Sequence, residues 1–408
     1  MIPGDPESFA GSGANSFPGI PLAQPYKNGR TNIGGYADLS ADLTKDFLIN
    51  LTGRYENYSS FGDAFVWKAS SRYKFADDKV TIRGSVSTGF RAPSLHQVNL
   101  QLAQASFLPG GAIQLEGILN GASAATKALG VDKLKAEKST NVTFGLGLNP
   151  SKNLNITLDY YNIKVVDRII LSSKIGGTAA GNTALDNALA LGGVKRLSFF
   201  TNGIDTRTAG LDFVAHYKGL SLGDGKLGIS LAANYTLTNE LIGGLAAVKT
   251  PAIIKNAGYS IFDATQQALL LSSRPKYKAI LGFDYHIGKM QFNLNNTLFG
   301  KTTFHQDGID ANLNTEFVPK VLTDLGGTFN FTSKLSLSVN VNNIFNITPK
   351  WNFVALNSKG EALLKDANAV WSQTNLLTFN GRYSMVTYDG SHFSQLGTTF
   401  AANLTFKF

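Results

Sequence analysis

Five histidines, His96, His216, His286, His305 and His392, are the residues best suited to move protons or hold a metal. They stand far apart in the chain. None falls in the HExxH spacing that puts two imidazoles on one helix face for zinc, and there is no cysteine to complete a mixed site. Each therefore reads as a lumen, turn or loop residue. Ser391 and His392 adjoin without the GxSxG context of a nucleophile elbow, and no glycine-rich loop precedes a helix to cradle phosphate. No catalytic, metal-binding or cofactor-binding residue is assigned, and nothing argues for an enzyme.

A second set of polar residues shows a pattern. Arg54, Lys68, Arg72, Arg83, Lys226 and Lys278, with Asp159, Asp212, Asp284 and Asp324, fall at alternate positions of stretches whose other positions are largely apolar. Successive side chains of a strand point to opposite faces, so these charges share one wall and the apolar residues the other. The last stretch, 397–408, shows it most clearly: Thr398, Phe400, Ala402, Leu404, Phe406 and Phe408 on one face, Thr399, Ala401, Asn403, Thr405 and Lys407 on the other. A soluble sandwich alternates in the same way. An apolar face that runs to an aromatic last residue favours a membrane barrel, which turns apolar side chains to lipid and polar ones to its lumen. Mixed charges on the inner wall suit a wide lumen that is wet or filled by a polar plug.

Composition agrees. The chain has 408 residues, 42 glycines, 27 phenylalanines and 16% charged residues, suiting a large β-rich architecture with many turns. No run of about 18 apolar residues is present, which excludes a transmembrane helix but not strands of about 9–11 residues. The net charge of +9 is spread singly, with no basic run or aromatic–basic motif, so nucleic acid is not an expected partner. Residues 1–17 lack the basic-then-apolar order of a signal peptide, so a barrel here is expected to be a fragment.

About thirteen strands follow from the period-2 criterion, from a weak one near 33–42 to the last at 397–408. Tight turns are expected at 44–46, 76–79, 150–153, 219–225, 286–289 and 332–334. The connections between them are long, at 91–137, 167–206, 240–274, 301–316 and 347–393, with one short exception near 59–62. Loop length thus segregates by parity, as in outer-membrane barrels with short periplasmic turns and long extracellular loops. Strands approaching the tight turns end in outward Tyr73 and Phe75, Tyr217, Tyr285, Phe329 and Phe331, Phe406 and Phe408, a girdle at one water boundary.

Several stretches resemble a known family. Gly89-Phe90-Arg91-Ala92-Pro93-Ser94-Leu95 resembles the GFRAPSL signature of TonB-dependent outer-membrane receptors. Residues 134–139, LKAEKS, resemble the LKPExS that follows it, with Ala136 in place of proline. Residues 199–212, FFTNGIDTRTAGLD, are similar to the family's FFTNxIDTRTxGxD, and 341–346, VNNIFN, with Asn343 and Phe345, to its V-x-N-[LI]-F-N; the terminal Phe408 also fits. The resemblance spans residues 89–408 in the family's order. It implies an antiparallel transmembrane barrel of roughly 22 strands, closed by an N-terminal plug domain that carries the TonB box. Residues 1–28 then read as the remnant of an extracellular loop and 29–408 as the C-terminal part of the barrel, without the plug.

The implied function is that of a receptor and transporter in the Gram-negative outer membrane. It would bind a scarce nutrient (a siderophore, cobalamin or an oligosaccharide) in the outer loops and move it with energy delivered through TonB. The implied partners are the TonB complex through the plug, outer-membrane lipid, the barrel-assembly machinery through the C-terminal strand, and the small-molecule ligand. Trp351, Phe353 and Trp371 are the loop aromatics that are candidates for ligand contact; such rings fit a sugar, a chelate or plain loop packing, since they also serve as ordinary packing anchors. The alternative function is a passive porin-like channel.

Overall fold

The structure is a computed structural model that describes residues 13–14, 17–18, 28–107, 113–177, 182–306, 308–378 and 392–408. The alternating stretches form thirteen strands of one sheet. They are β1 (Asn32–Asp42), β2 (Phe47–Tyr58), β3 (Gly62–Phe75), β4 (Val80–Arg91), β5 (Glu137–Ser151), β6 (Leu154–Leu171) and β7 (Phe200–Leu222). Then come β8 (Gly225–Leu241), β9 (Tyr277–Ile287), β10 (Met290–Phe299), β11 (Lys320–Asn330), β12 (Leu335–Asn342) and β13 (Thr399–Phe406). Each strand pairs antiparallel with the one before and after it, so spatial order follows chain order. Among the described residues β1 and β13 do not pair with each other, leaving a curved sheet with two edges, a partial barrel. The expected remnant at 1–28 lies almost wholly outside the described residues.

One wall of this sheet is apolar yet open. Leu281, Phe292, Leu325, Val339, Phe400 and Leu404 are all exposed, a continuous apolar surface that a soluble domain would have to cover. No helix among the described residues is long and apolar enough to cross a membrane. The expected girdle forms at the tight-turn end. Phe47 packs edge-on to Tyr73, Tyr73 stacks with Phe75, and Phe329 with Phe331 and Phe406 with Phe408 make further edge contacts.

The opposite wall is polar and internally paired. Arg83 and Asp159 lie on strands separated by β5, and Gly145 sits between them in register. A Cβ at Gly145 would fall on top of the Asp159 carboxylate. Its absence lets Arg83 reach across to form a forked pair, with Nε 2.9 Å from Oδ1 and Nη2 2.6 Å from Oδ2. Asn234 donates to Asp212 at 2.8 Å on the same wall.

The long connections are structured, which period-2 reading did not anticipate. Three of them build a cap above β4–β9. Leu102–Phe107 and Ile113–Ile118 form a hairpin, Arg196–Ser198 adds to it in parallel, and Ile175–Gly176 completes the small sheet. Helix α1 (Thr183–Leu191) is capped by Asn182 and presents Leu185, Ala188 and Leu189 to the interior, the i, i+3, i+4 face. It ends at Gly192, followed by Gly193 at φ 63°. Leu129, Ile175, Leu197, Phe199, Ile254, Ile261 and Phe262 join this face in one buried cluster.

The strands also run further than expected. β6 continues past residue 167 to Leu171 and β7 starts at Phe200 rather than 206. An irregularity between Val165 and Arg168 carries this pair out of the barrel and into the cap. The last strand, expected over 397–408, pairs only over Thr399–Phe406, and Phe408 lies beyond the ladder, fully exposed.

Candidate functional site at the long-loop mouth

The motif stretches converge where the cap meets the barrel rim. Gly89 has no room for a side chain, since a Cβ there would meet the Ser139 hydroxyl at 2.7 Å. Phe90 packs edge-on to Tyr58. Arg91 donates from Nε to Glu137 at 2.6 Å, and Glu137, nearly buried, also accepts from the Ile169 amide at 2.6 Å. Pro93 is buried and its carbonyl accepts from the Arg30 guanidinium at 2.6 Å. Ser94 then caps the short helix Leu95–Asn99 in a capping box with Gln97. Ala92, half-buried, continues the chain between Arg91 and Pro93.

The other stretches lock onto this one. Asn202 exchanges hydrogen bonds with both backbone groups of Lys135, at 2.9 and 3.0 Å, and donates to the Asp167 carbonyl at 2.6 Å. Asp205 accepts from the Asp167 amide at 2.8 Å, and Lys249 bridges the Asp167 and Asp205 carboxylates at 2.8 and 3.0 Å. Three stretches spread over residues 89–212 thus form one clasp, in which the near-buried Glu137 carboxylate is satisfied by Arg91 and the Ile169 amide.

The VNNIFN stretch forms a second clasp. Asn343 and Asn346 adopt left-handed backbone at φ 53° and 52°, which short polar side chains tolerate. The Asn343 side chain bonds both backbone groups of Ile347, its amide donates to Asp324 at 2.6 Å, and its carbonyl accepts from Thr398 Oγ1 at 2.7 Å. The end of β12 is thereby tied to the start of β13. Phe345 stays exposed.

Trp351 and Phe353 come together, and Trp371 sits apart from their strand. The first two lie two residues apart on Trp351–Ala355, their rings edge-on at 5.1 Å. That strand pairs with Leu313–Phe317, which pairs with Thr302–Phe304, giving a second small sheet with buried Phe304, Leu313 and Phe317. Trp371 is exposed on helix α3 (Ala367–Leu377), which follows α2 (Ser358–Lys365).

Two features of the mouth escaped the sequence. His392 packs among Phe299, Phe317 and Phe393 and donates from Nε2 to the Val318 carbonyl at 2.9 Å. Burial pushes its pKa down, partly opposed by that hydrogen bond. A pocket of about 130 Å³ in the first cap is lined by Leu102, Ile118, Leu171 and Leu197, with Glu116 between Lys174 and Arg196 at 3.0 and 3.1 Å. Burial of Glu116 disfavours its charge, but the two cations outweigh this and hold its pKa below the ordinary value. Neither feature has a local sequence signature, since its members come from segments tens of residues apart.

A family model described as TonB dependent receptor-like, beta-barrel matches residues 4–344. The chain belongs to this family. That places it in the outer membrane, in a family of receptors and transporters. No curated protein matches it. Among solved structures it is similar to a mutant of the ferric enterobactin receptor of Pseudomonas aeruginosa, with 19% identity, a TM-score of 0.54, and 78% of this chain and 40% of that chain covered. It is also similar to the siderophore receptor PirA of Acinetobacter baumannii (16%, 0.52, 78% and 42%) and to the copper transporter OprC (16%, 0.54, 93% and 50%). The fold is shared; the chain spans 40–50% of the length of these structures.

Proposed function

We propose that this chain is the C-terminal, loop-bearing part of a receptor that captures a scarce nutrient at the cell surface and imports it with energy from TonB. One observation carries the reading: the motif clasp holds a cap with its own hydrophobic core over the polar mouth of the wall. A receptor needs such a built structure at its entrance to position ligand contacts. The plug domain, the TonB box and the remaining strands, roughly nine of about 22, belong to sequence outside these 408 residues.

Trp351 and Phe353 are the leading ligand contacts, with Trp371 as a third. The neighbours named for siderophores and copper make metal acquisition the first substrate class to test, ahead of cobalamin and oligosaccharides. The barrel-assembly machinery engages the C-terminal strand, and the protein is not an enzyme. In the intact receptor, replacing Trp351 and Phe353 with alanine weakens binding of the cognate ferric chelate at least tenfold while the barrel still assembles. Uptake stops in cells lacking TonB. Uptake that persists without TonB identifies a passive channel instead.

A further inference from the structure

The exterior wall carries a polar cleft where its apolar band ends. Below it, from Val142 to Leu148 on β5, Leu154 to Tyr160 on β6, Ala209 to Tyr217 on β7 and Leu227 to Tyr235 on β8, outward positions hold no charged residue. The next outward residues are Thr140, Asn162, Lys164, Arg207 and Glu240, which line an open cleft of about 750 Å³. Lys164 lies directly opposite Thr140 on one side and Arg207 on the other, and Arg207 opposite Glu240. Arg207 donates to Asn162 at 3.4 Å, and Asn162 to the Tyr160 hydroxyl at 3.1 Å, which fixes the cleft on the same face as the apolar band. Lys138, exposed, stands one step above Thr140 on that face.

We propose that this cleft docks the phosphate-bearing headgroup of an anionic lipid in the leaflet on the long-loop side. Two observations choose this occupant. The cleft is continuous with the lipid-facing band, so a headgroup whose acyl chains lie on Leu158 and Phe213 arrives at its level. Its cations also outnumber its carboxylate: Lys164 and Arg207 line it and Lys138 stands just above, against Glu240 alone, and none of the three cations is in an ion pair among the described residues. On the polar wall Arg83, and at the rim Arg91, are paired with carboxylates, so those cations need no outside partner. The cation excess is local, since the exterior rim of β2 and β3 carries Asp63, bonded to Asn57. Glu240 beside Arg207 disfavours a second phosphate and sets one edge of the site. Fixed cations at a membrane boundary attract anionic headgroups in this way.

The inference depends on membrane placement and is independent of the nutrient reading. The test compares spin-labelled phosphatidic acid with spin-labelled phosphatidylcholine around the intact receptor in phosphatidylcholine vesicles. The unaltered receptor holds phosphatidic acid preferentially, and K138Q/K164Q/R207Q reduces that preference about fivefold or more. K164R/R207K keeps it. Lys164→Gln alone, read on protein that shows a heat-shifted band, gives the same direction if the triple variant does not assemble. No preference in the unaltered receptor, a preference that survives the glutamine exchanges, or one abolished by inorganic phosphate equimolar to the labelled lipid would each overturn the proposal, the last by assigning the site to a soluble anion.

Discussion

Leu281 lies midway along the outward face of β9, between Tyr277 and Tyr285. Two tyrosines at that separation mark the upper and lower water boundaries, so Leu281 marks the hydrocarbon midplane. Leu281→Arg should destabilise the intact receptor by about 2–4 kcal/mol in urea titrations into lipid. Ser230→Arg, opposite Gly282 on the polar wall, should cost far less because its charge stays in the lumen. Equal losses would mean the two walls are wrongly assigned. Glu116 sets a pH dependence of a different kind. Its folded pKa lies below its unfolded value of about 4.3, so its ion pairs contribute stability above that pH and lose it as pH falls through the folded pKa. Amide protection in the strands Ile113–Ile118 and Arg196–Ser198, corrected for the pH dependence of intrinsic exchange, should fall over that acidic window, and Glu116→Gln should remove the fall.

At the scale of elements, the strands were legible and the cap was not, for a physical reason. A spanning strand repeats the same outside–inside choice over its whole length, so Tyr277 to Tyr285 or Leu154 to Tyr160 declare themselves locally. The cap strands are two to six residues long, too short for a period, and one pairing joins residues 116–118 to 196–198 in parallel. Likewise the motif residues Arg91, Glu137 and Asn202 were visible one by one, but their convergence depends on pairings across three connections. Glu137→Ala should leave Arg91 and the Ile169 amide without their acceptor and cost about 1–3 kcal/mol of local stability. Native-state proteolysis of the cap would show it as faster cleavage, and an unchanged rate would reduce the clasp to a passive contact. Orientation can be read directly because the chain has no cysteine. Lys359→Cys, on α2 at the long-loop end, should react with an impermeant maleimide on intact cells. Lys152→Cys, in the tight turn after β5, should react only once the outer membrane is breached. The reverse labelling would invert the topology.

For the whole molecule, the two unpaired edges dominate. Backbone groups left unbonded in hydrocarbon cost several kcal/mol each, so a spanning sheet must close. With thirteen strands in simple up-and-down order, β1 and β13 run the same way and would have to close in parallel, against the antiparallel pairing everywhere else. The 408 residues expressed alone should therefore aggregate through these edges, whereas a discrete monomeric barrel band on electrophoresis would show another closure. The central claim, that this sheet is a membrane wall with one face to lipid and one to the lumen, is tested most directly by spin labels placed singly along residues 277–287 of the intact receptor in vesicles. Oxygen accessibility should peak at Tyr277, Ala279, Leu281, Phe283 and Tyr285, and accessibility to a water-soluble nickel complex should peak at Lys278, Ile280, Gly282, Asp284 and His286. Profiles without a two-residue period, or with the two reagents exchanged, would contradict it.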